Sequence, residues 1–344
     1  MRIQLMSFNA NEIISECFQS KPSELKLLFR EAFELRRKNF PNVIYFYSPG
    51  VIRFASSFND AKSLLKFPAI SITGRKCYLN CEHCKGKLLE RMIPAETPQK
   101  LFKICLKIKE ANGEGCLISG GSSKDGHVPL INFIPTIKKV KKLGLKIVVH
   151  TGLIDQNLAE ALASIDVDGV MIDIIGSNET INKVYHLNST IESFENSLSL
   201  LESNNIPSIP HIVVGLHFGK LKGEKEALKM VARHRIAALV IVSLMPLEGT
   251  RMEDVAPPSP IKVAKVILAA RFLMPNIPLL LGCASPRGLY KIYLDAFSIK
   301  AGVNGIAYPS DEAYGLANKL KLKVKTFNEC CSLLWKEFCK REKT

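Results

Sequence analysis

Short apolar runs alternate with lysine-rich amphipathic stretches along most of the chain. Eight runs end in Gly, Pro or a polar residue, and each predicts a buried strand: residues 69–74, 116–121, 146–152, 169–176, 208–216, 238–246, 277–283 and 302–309. The stretches between them, such as FIPTIKKVKKL and TIESFENSLSLLES, place apolar residues at helical spacing. Strands that alternate with helices predict a parallel sheet, because parallel neighbours need a long crossover connection.

This alternation also indicates the fold class and the organisation of the chain. Eight strand–helix units predict an α/β protein, either a closed (β/α)8 barrel or a partial TIM barrel of six strands with two extra units, rather than an open doubly wound sheet. We expect residues 1–68 to form a helical N-terminal extension, in which NVIYFYSPG predicts a short strand. Residues 69–309 are expected to form the barrel, and residues 310–344 a C-terminal extension that ends in a cysteine-containing amphipathic helix.

The composition is that of a folded protein with a basic surface. The 344 residues are 47% hydrophobic and 23% charged, which excludes a disordered or low-complexity chain. No apolar run is long enough to span a bilayer and the first residues lack a signal-peptide core, so we expect a cytoplasmic protein with no membrane partner. The net charge of +15 indicates either a solvated basic surface or an acidic partner. Nucleic acid is not an expected partner, because no signature of nucleic-acid binding is found.

Three of the ten cysteines stand close together after the first predicted barrel strand. Cys77, Cys81 and Cys84 have the spacing C-x3-C-x2-C. Three thiolates in one loop can hold three irons of a cubane cluster and leave the fourth iron open to another ligand. A structural zinc site needs a fourth Cys or His at a matching spacing, and His83 lies too close to Cys84 to be an easy fourth ligand. The spacing therefore favours an iron–sulfur cluster over structural zinc.

The cysteine spacing, together with a Gly-Gly pair that ends the second barrel strand, resembles the radical S-adenosylmethionine (SAM) enzymes. This resemblance implies a partial or complete TIM barrel of the radical SAM type, with a [4Fe–4S] cluster on Cys77, Cys81 and Cys84. It implies that SAM binds the open iron and is cleaved reductively to methionine and a 5′-deoxyadenosyl radical, which abstracts a substrate hydrogen. It also implies an electron donor such as ferredoxin or flavodoxin. Two residues depart from the family pattern, His83 in place of an aromatic residue and Ser122 in place of a carboxylate.

Further candidate residues stand at the carboxyl ends of the predicted strands, where such barrels place their active sites. Asp173 lies on a buried run, and a buried carboxylate is costly unless it is paired or faces a cavity. It is expected either to bind the SAM hydroxyls or the substrate, or to be a satisfied barrel residue. His150 is either a pocket residue or capped by the backbone, and Arg287 is placed to bind a carboxylate of SAM or substrate. The remaining cofactor-binding candidates, by the resemblance, are Gly120, Gly121, Ser122 and Gly215.

A second group of cysteines suggests another metal site. Cys283 ends the seventh run, and Cys330 and Cys331 are adjacent near the C-terminus. We interpret these three as ligands of an auxiliary iron–sulfur cluster, with Cys17 or Cys339 as the fourth, on a tail that folds back over the open face of the barrel. The alternative is a set of ordinary thiols on an amphipathic helix. Two other cysteines, Cys105 and Cys116, are expected in the core.

Several segments together resemble the radical SAM proteins known as biotin-synthase homologues, a group that includes the two-protein type of lipoyl synthase. They are ISITGRKCYLNCEHC, LISGGSSKDGHVPL, HTGLID, DIIGSNETINKVYHL, PHIVVGLHFGK, LGCASPRG, AGVNGIAYP and the late ECC. This resemblance implies sulfur insertion into an octanoyl chain, with sulfur from a second [4Fe–4S] cluster. It implies two protein partners, an acidic lipoyl carrier and a second radical SAM protein. The alternatives are another radical SAM reaction, namely methylation, rearrangement or cofactor biosynthesis, or a non-catalytic metal-binding protein.

Overall fold

The computed structural model describes residues 9–48 and 65–339, and all of its strands there belong to one parallel sheet. Along the sheet the strand order is β11-β1-β10-β9-β8-β7-β6-β5-β4-β2-β3. The strands are β1 (Val43–Tyr47), β2 (Ala69–Ser71), β3 (Ile93–Pro94), β4 (Gly115–Ser119), β5 (Lys146–His150), β6 (Gly169–Asp173), β7 (Ser208–Val214), β8 (Leu239–Ser243), β9 (Leu279–Leu281), β10 (Gly305–Ala307) and β11 (Lys323–Phe327).

Helices connect the strands and cover the outside of the sheet. They are α1 (Ala10–Gln19), α2 (Pro22–Asn39), α3 (Pro98–Glu110), α4 (Ile134–Lys141), α5 (Gln156–Ala163), α6 (Asn178–Tyr185), α7 (Ile191–Ser203), α8 (Glu224–Ala232), α9 (Pro260–Leu273), α10 (Leu289–Lys300), α11 (Asp311–Lys319) and α12 (Trp335–Cys339). Short 3₁₀ turns span Lys87–Arg91, Ile131–Phe133 and Cys331–Leu334. None of the helices in the described ranges is long and apolar enough to cross a membrane.

The sheet is a half-barrel, so the prediction of an α/β fold with a partial TIM barrel is confirmed. Each of the eight predicted runs overlaps one strand, β2 or one of β4 to β10. Within the described residues, no pairing joins the end strands β3 and β11, so the closed alternative is not the one observed. Side chains alternate between two cores, as they must on a strand. On β5, Ile147 and Val149 join the outer core under the helices, whereas Val148 joins the inner core of the barrel.

The N-terminal segment packs onto the barrel and adds a strand to it. Asn9 caps α1, its side chain accepting hydrogen bonds from the backbone of Asn11 and Glu12. Helices α1 and α2 lie against α9 on the outside of the barrel. Strand β1, predicted by NVIYFYSPG, is inserted between β10 and β11.

The C-terminal segment lies at the end of the barrel opposite to the one expected. Lys336 forms an ion pair with Asp168, which precedes β6, and Glu329 forms one with Lys146, the first residue of β5. Both contacts are at the amino ends of the strands. The prediction that this tail covers the open, carboxyl-end face is therefore wrong. The physical reason is that Glu329 and Lys336 form their ion pairs with residues at the amino ends of β5 and β6.

Candidate active site

The loop after β2 folds back on itself and brings two cysteines together. The backbone N–H groups of Cys84 and Lys85 both donate to the carbonyl of Cys81, at 3.2 and 2.8 Å. Lys85 and Gly86 take the left-handed backbone conformation, which turns the chain sharply there. The ligand atoms of Cys81, His83 and Cys84 consequently lie within 4.8 Å of one another. Across residues 9–48 and 65–339 this is the one such group of three metal-ligating side chains.

Cys77, the first cysteine of the motif, lies on the same loop but outside that 4.8 Å group. Its segment is tied to the Gly-Gly pair after β4: the Tyr78 N–H donates to the Ser122 carbonyl at 2.8 Å, and the Gly121 N–H donates to Thr73 Oγ1 at 2.7 Å. A Cβ on Gly121 would stand 2.1 Å from the Lys76 carbonyl oxygen and 2.6 Å from Cys77 Cα. Glycine is required at this position because the cysteine loop packs directly on its backbone.

The electrostatics of the turn favour a thiolate at Cys84. A hydrogen bond from Cys81, aided by the charge of His83, lowers the pKa of the Cys84 thiol to about 4 although burial opposes this. The pKa of Cys81 is raised by that same hydrogen bond and by burial. Two neighbouring sulfurs with a third on the same loop form the soft donor set that iron–sulfur clusters use. The residues present therefore fit a [4Fe–4S] cluster.

An aromatic side chain that sequence reasoning missed connects this loop to β6. The rings of His83 and Tyr185 lie 5.3 Å apart between centres, and Tyr185 Oη donates to Asp173 Oδ2 at 3.2 Å. The Cys81 Sγ also lies 3.9 Å from the Tyr185 carbonyl oxygen. The one available signal was position: Tyr185 ends the first helix after the strand that bears Asp173.

Asp173, at the carboxyl end of β6, is paired with histidines from the neighbouring strands. His150 Nε2 lies 3.5 Å from Asp173 Oδ1. Burial raises the pKa of Asp173, but the charges of His150, His211 and His83 outweigh it and hold that pKa well below its usual range. Burial alone would lower the pKa of His150. The neighbouring Asp173 carboxylate outweighs burial and raises this pKa above its ordinary value. Asp173 therefore stands as a carboxylate beside the cysteine loop.

His211 is a second residue that the sequence did not single out for the site. It is the register partner of Asp173 on β7, and its ring packs edge-on against His150 with centres 5.8 Å apart. Burial and the positive charge of His150 lower the pKa of His211 to about 4. The signal that could have found it was alignment of the fourth and fifth predicted strands, which places the two side chains next to each other.

The comparison with known protein families agrees with this geometry. Residues 71–231, which contain the cysteine loop, the Gly-Gly pair and Asp173, match the family described as the Radical SAM superfamily. These residues form a radical SAM domain. The chain therefore contains a radical SAM domain, and its similar proteins include biotin synthases.

The relatives and the solved structures extend the similarity beyond the radical SAM domain. Biotin synthase of Vesicomyosocius okutanii subsp. Calyptogena okutanii is 26% identical over 303 residues, which cover 82% of each chain. Biotin synthase of Acinetobacter baylyi is 24% identical over 217 residues, covering 60% of this chain and 64% of that one. Two solved structures share the fold. Methylornithine synthase has a TM-score of 0.65 at 14% identity, covering 93% of this chain and 96% of its own. The FeFe-hydrogenase maturase HydG of Carboxydothermus hydrogenoformans has a TM-score of 0.66 at 12% identity, covering 98% and 80%.

The remaining cofactor candidates lie around the carboxyl end of the radical SAM barrel. Gly215 has a positive φ after β7, and its N–H donates to Glu224 Oε1 at 2.8 Å. Arg287 Nη2 donates to the Cys283 carbonyl at 3.2 Å, and its guanidinium lies 5.4 Å from the centre of the Tyr308 ring. Roles for Gly215, Arg287, Gly120 and Ser122 in binding SAM stay predictions.

The second set of cysteines lies around the inner core of the barrel. Cys331 is buried in the inner core, and Cys283 and Cys330 pack against the same core while half-buried. Burial, aided by the charge of Cys330, raises the pKa of the Cys283 thiol to about 11. Cys17 lies in the outer core, on the other side of the sheet, which excludes it as a fourth ligand. The predicted core cysteines, Cys105 and Cys116, are fully buried there.

Proposed function

We propose that this radical SAM enzyme inserts sulfur into an octanoyl chain on a carrier protein, as one component of a two-protein lipoyl synthase. The observation that carries the proposal is the position of Cys283, Cys330 and Cys331 around one inner core, in the barrel whose carboxyl end carries the cysteine loop. A second sulfur-bearing centre held by these thiols would lie inside the reaction chamber.

The cysteine loop would hold the first cofactor in this scheme. Cys77, Cys81 and Cys84 would bind a [4Fe–4S] cluster, which supplies the electron for the reductive cleavage of SAM. Two residues beside the loop would help to bind the cofactors. Gly121 supports the cysteine loop, and Asp173 offers a charged hydrogen-bond acceptor for the hydroxyl groups of SAM.

The inner core of the barrel suits an alkyl substrate. Its members are apolar, among them Val148, Met171, Ile209, Val240, Val242 and Leu280. An apolar lining favours an alkyl chain over a charged metabolite, because a polar group would lose its hydrogen bonds to water there. We propose that the octanoyl chain lies against this aliphatic core.

The surface around the cysteine loop fits acidic partners. Arg75, Lys76, Lys85 and Arg91 form no salt bridge with the described residues, and the Tyr78 side chain beside them is 71% exposed. An exposed aromatic ring with a basic rim is a typical anchor for an acidic protein. We propose ferredoxin or flavodoxin as the electron donor at this surface. An acidic lipoyl carrier and a second radical SAM protein complete the set of partners.

One observation favours a second candidate function. The thiols of Cys283, Cys330 and Cys331 do not lie within 4.8 Å of one another in the described chain, unlike the ligand atoms in the cysteine loop. A single cluster on the cysteine loop would then support a different radical SAM reaction, such as methylation, rearrangement or cofactor biosynthesis. Iron content distinguishes the two candidates.

Replacing Cys330 and Cys331 together by Ala tests the proposed sulfur source. After anaerobic reconstitution, the native chain should carry about 8 irons and the double variant about 4, because one of two cubane clusters is lost. The variant should still form 5′-deoxyadenosine but no thiolated product from an octanoylated carrier. Cys105→Ala, which changes an outer-core cysteine, is the matched control and should keep the native iron content. Unchanged iron and sulfide in the double variant would exclude these ligands and favour the second candidate.

Asp173→Asn should weaken SAM binding about tenfold, or ~1.4 kcal/mol. The substitution removes the negative charge that pairs with His150 and that would accept hydrogen bonds from the hydroxyl groups of SAM. Equilibrium dialysis of the reconstituted enzyme measures this affinity. Asp125→Asn changes an exposed carboxylate on a surface turn and serves as the control with native affinity. Equal SAM affinity in both variants would show that Asp173 lies outside the cofactor pocket.

A further inference from the structure

The last described residues, 329–339, cross the amino-end mouth of the barrel, and we call them the floor segment. On one side Glu329 forms an ion pair with Lys146 at the start of β5. On the same side the Trp335 Nε1–H donates to the Asp168 carbonyl at 3.2 Å, and Lys336 forms an ion pair with the Asp168 carboxylate. These contacts fix the segment to the strands that carry His150 and Asp173 at their other ends.

The floor segment is also held on the far side of the mouth. The Phe338 ring packs edge-on against Phe40, just before β1, and against Tyr45 on β1, with ring centres 5.1 and 5.7 Å apart. In the sheet, β10, β9, β8 and β7 lie between β1 and β6. The segment therefore spans the opening of the half-barrel rather than following one edge of it.

Between its two attachments the floor segment rises into the barrel. The 3₁₀ turn Cys331–Leu334 contacts β1, β6 and β10, and Ser332 Oγ lies 2.8 Å from Met171 Sδ in the middle of β6. Leu333 and Leu334 are buried in the inner core. The floor segment, which is attached at the amino ends of the strands, thus holds the thiols of Cys330 and Cys331 in the interior of the barrel.

Asp168 holds the floor segment to the barrel. Its side chain is 7% exposed and accepts three hydrogen bonds: from Lys141 Nζ at 2.6 Å, from the Ile147 N–H at 2.6 Å, and from Lys336. Lys141 and Ile147 belong to the barrel, whereas Lys336 belongs to the floor segment. Removing one cation from a buried carboxylate is strongly destabilising. The ion pair between Asp168 and Lys336 therefore opposes release of the floor segment from the barrel.

We propose that Asp168 is a positioning residue that seats the floor segment and so fixes the Cys330 and Cys331 thiols inside the reaction chamber. The chemical role of this placement rests on the proposed function, in which the two thiols are ligands of a sulfur-bearing centre. The seating itself follows from the contacts alone. If the floor segment is released, the two thiols become accessible from the amino-end mouth and water enters the chamber.

The floor segment contains its own reporter, since Trp335 is the sole tryptophan of the chain. We would measure its emission maximum and acrylamide quenching in the full chain before cluster reconstitution, together with iodoacetamide labelling of Cys330 and Cys331 by mass spectrometry. Lys336→Ala and Asp168→Asn should both shift the emission to longer wavelength. Both should also raise the labelling rate at least tenfold.

Two variants show whether the effect belongs to seating. Lys336→Arg keeps the cation and should restore native emission and labelling. Lys141→Ala removes the other lysine on the same carboxylate, but outside the floor segment, and should also leave both readouts native. Native emission and labelling in Lys336→Ala and Asp168→Asn would overturn the proposal. Lys141→Ala behaving like Lys336→Ala would overturn it too, since Asp168 would then act only on the barrel.

The same variants separate this inference from the proposed function. After reconstitution, Lys336→Ala should still cleave SAM, because the cysteine loop is at the other end of the barrel, but thiolated product should fall at least tenfold. Native thiolation in Lys336→Ala with a released floor segment would refute the positioning role. Absence of thiolated product from the native enzyme with its partners would refute sulfur insertion, while the fluorescence and labelling results would still stand for the seating.

Discussion

Replacement of Cys77, Cys81 or Cys84 by Ala should abolish formation of 5′-deoxyadenosine from SAM while the barrel stays folded. Each variant removes one of three thiolates that hold the proposed cluster, and a cubane cluster with two protein ligands is not retained. Cys77 and Cys84 are half-buried on a loop beyond β2, so their loss leaves no large cavity. Anaerobic reconstitution followed by dithionite and SAM measures the product directly.

His83 provides the sharpest control for this prediction. Its ring nitrogen lies in the same 4.8 Å group as the sulfurs of Cys81 and Cys84, an arrangement that a zinc ion would also accept. If the thiolates hold an iron–sulfur cluster, His83→Phe should keep both iron and SAM cleavage, because phenylalanine preserves the packing on Tyr185. Loss of the metal in His83→Phe, or native turnover in any cysteine variant, would contradict the assignment.

The fold could be predicted from the sequence because its signal is repeated. Each of the eight apolar runs is long enough to mark a buried strand, and the lysine-rich stretches between them leave room for crossover helices. Strand β3, with only two residues, has no comparable signal. The sequence also left open whether the barrel is closed or partial. An apolar run shows that a strand is buried, but it does not show whether the edge strands of the sheet pair with each other.

Sequence reasoning located the cysteine loop because its function depends on spacing within eight residues, whereas the rest of the site depends on contacts between distant segments. Tyr185 meets Asp173 only because α6 folds back over β6, and His211 meets it through strand register. The floor segment is the extreme case. Lys336 and Asp168 are 168 residues apart, and nothing in a lysine-rich tail indicates which end of a barrel it closes.

Gly121→Val should prevent assembly of the first cluster. The Cβ of any side chain here would stand 2.1 Å from the Lys76 carbonyl oxygen and 2.6 Å from Cys77 Cα, and both are backbone atoms of the loop that must hold the metal. Forced overpacking of this kind costs about 1–3 kcal/mol, and the cysteine loop is the part free to move. We therefore expect iron content to fall below half of the native value and SAM cleavage to be lost.

A series of glycine variants shows how this loss arises. Gly120→Ala brings its Cβ to 3.0 Å from Thr73 Cγ2, which is a side-chain contact rather than a backbone contact, and should lose part of the iron. Gly315→Ala, in α11 with nothing within 4 Å, should keep native iron and raise the free energy of unfolding by about 0.4–1 kcal/mol. If Gly121 instead serves mainly to present its backbone to SAM, Gly121→Val would keep its iron and lose only SAM binding. Iron content in this one variant therefore decides between the two roles. Loss of iron shows that Gly121 supports the cysteine loop, whereas native iron with loss of SAM binding shows that it contacts the cofactor.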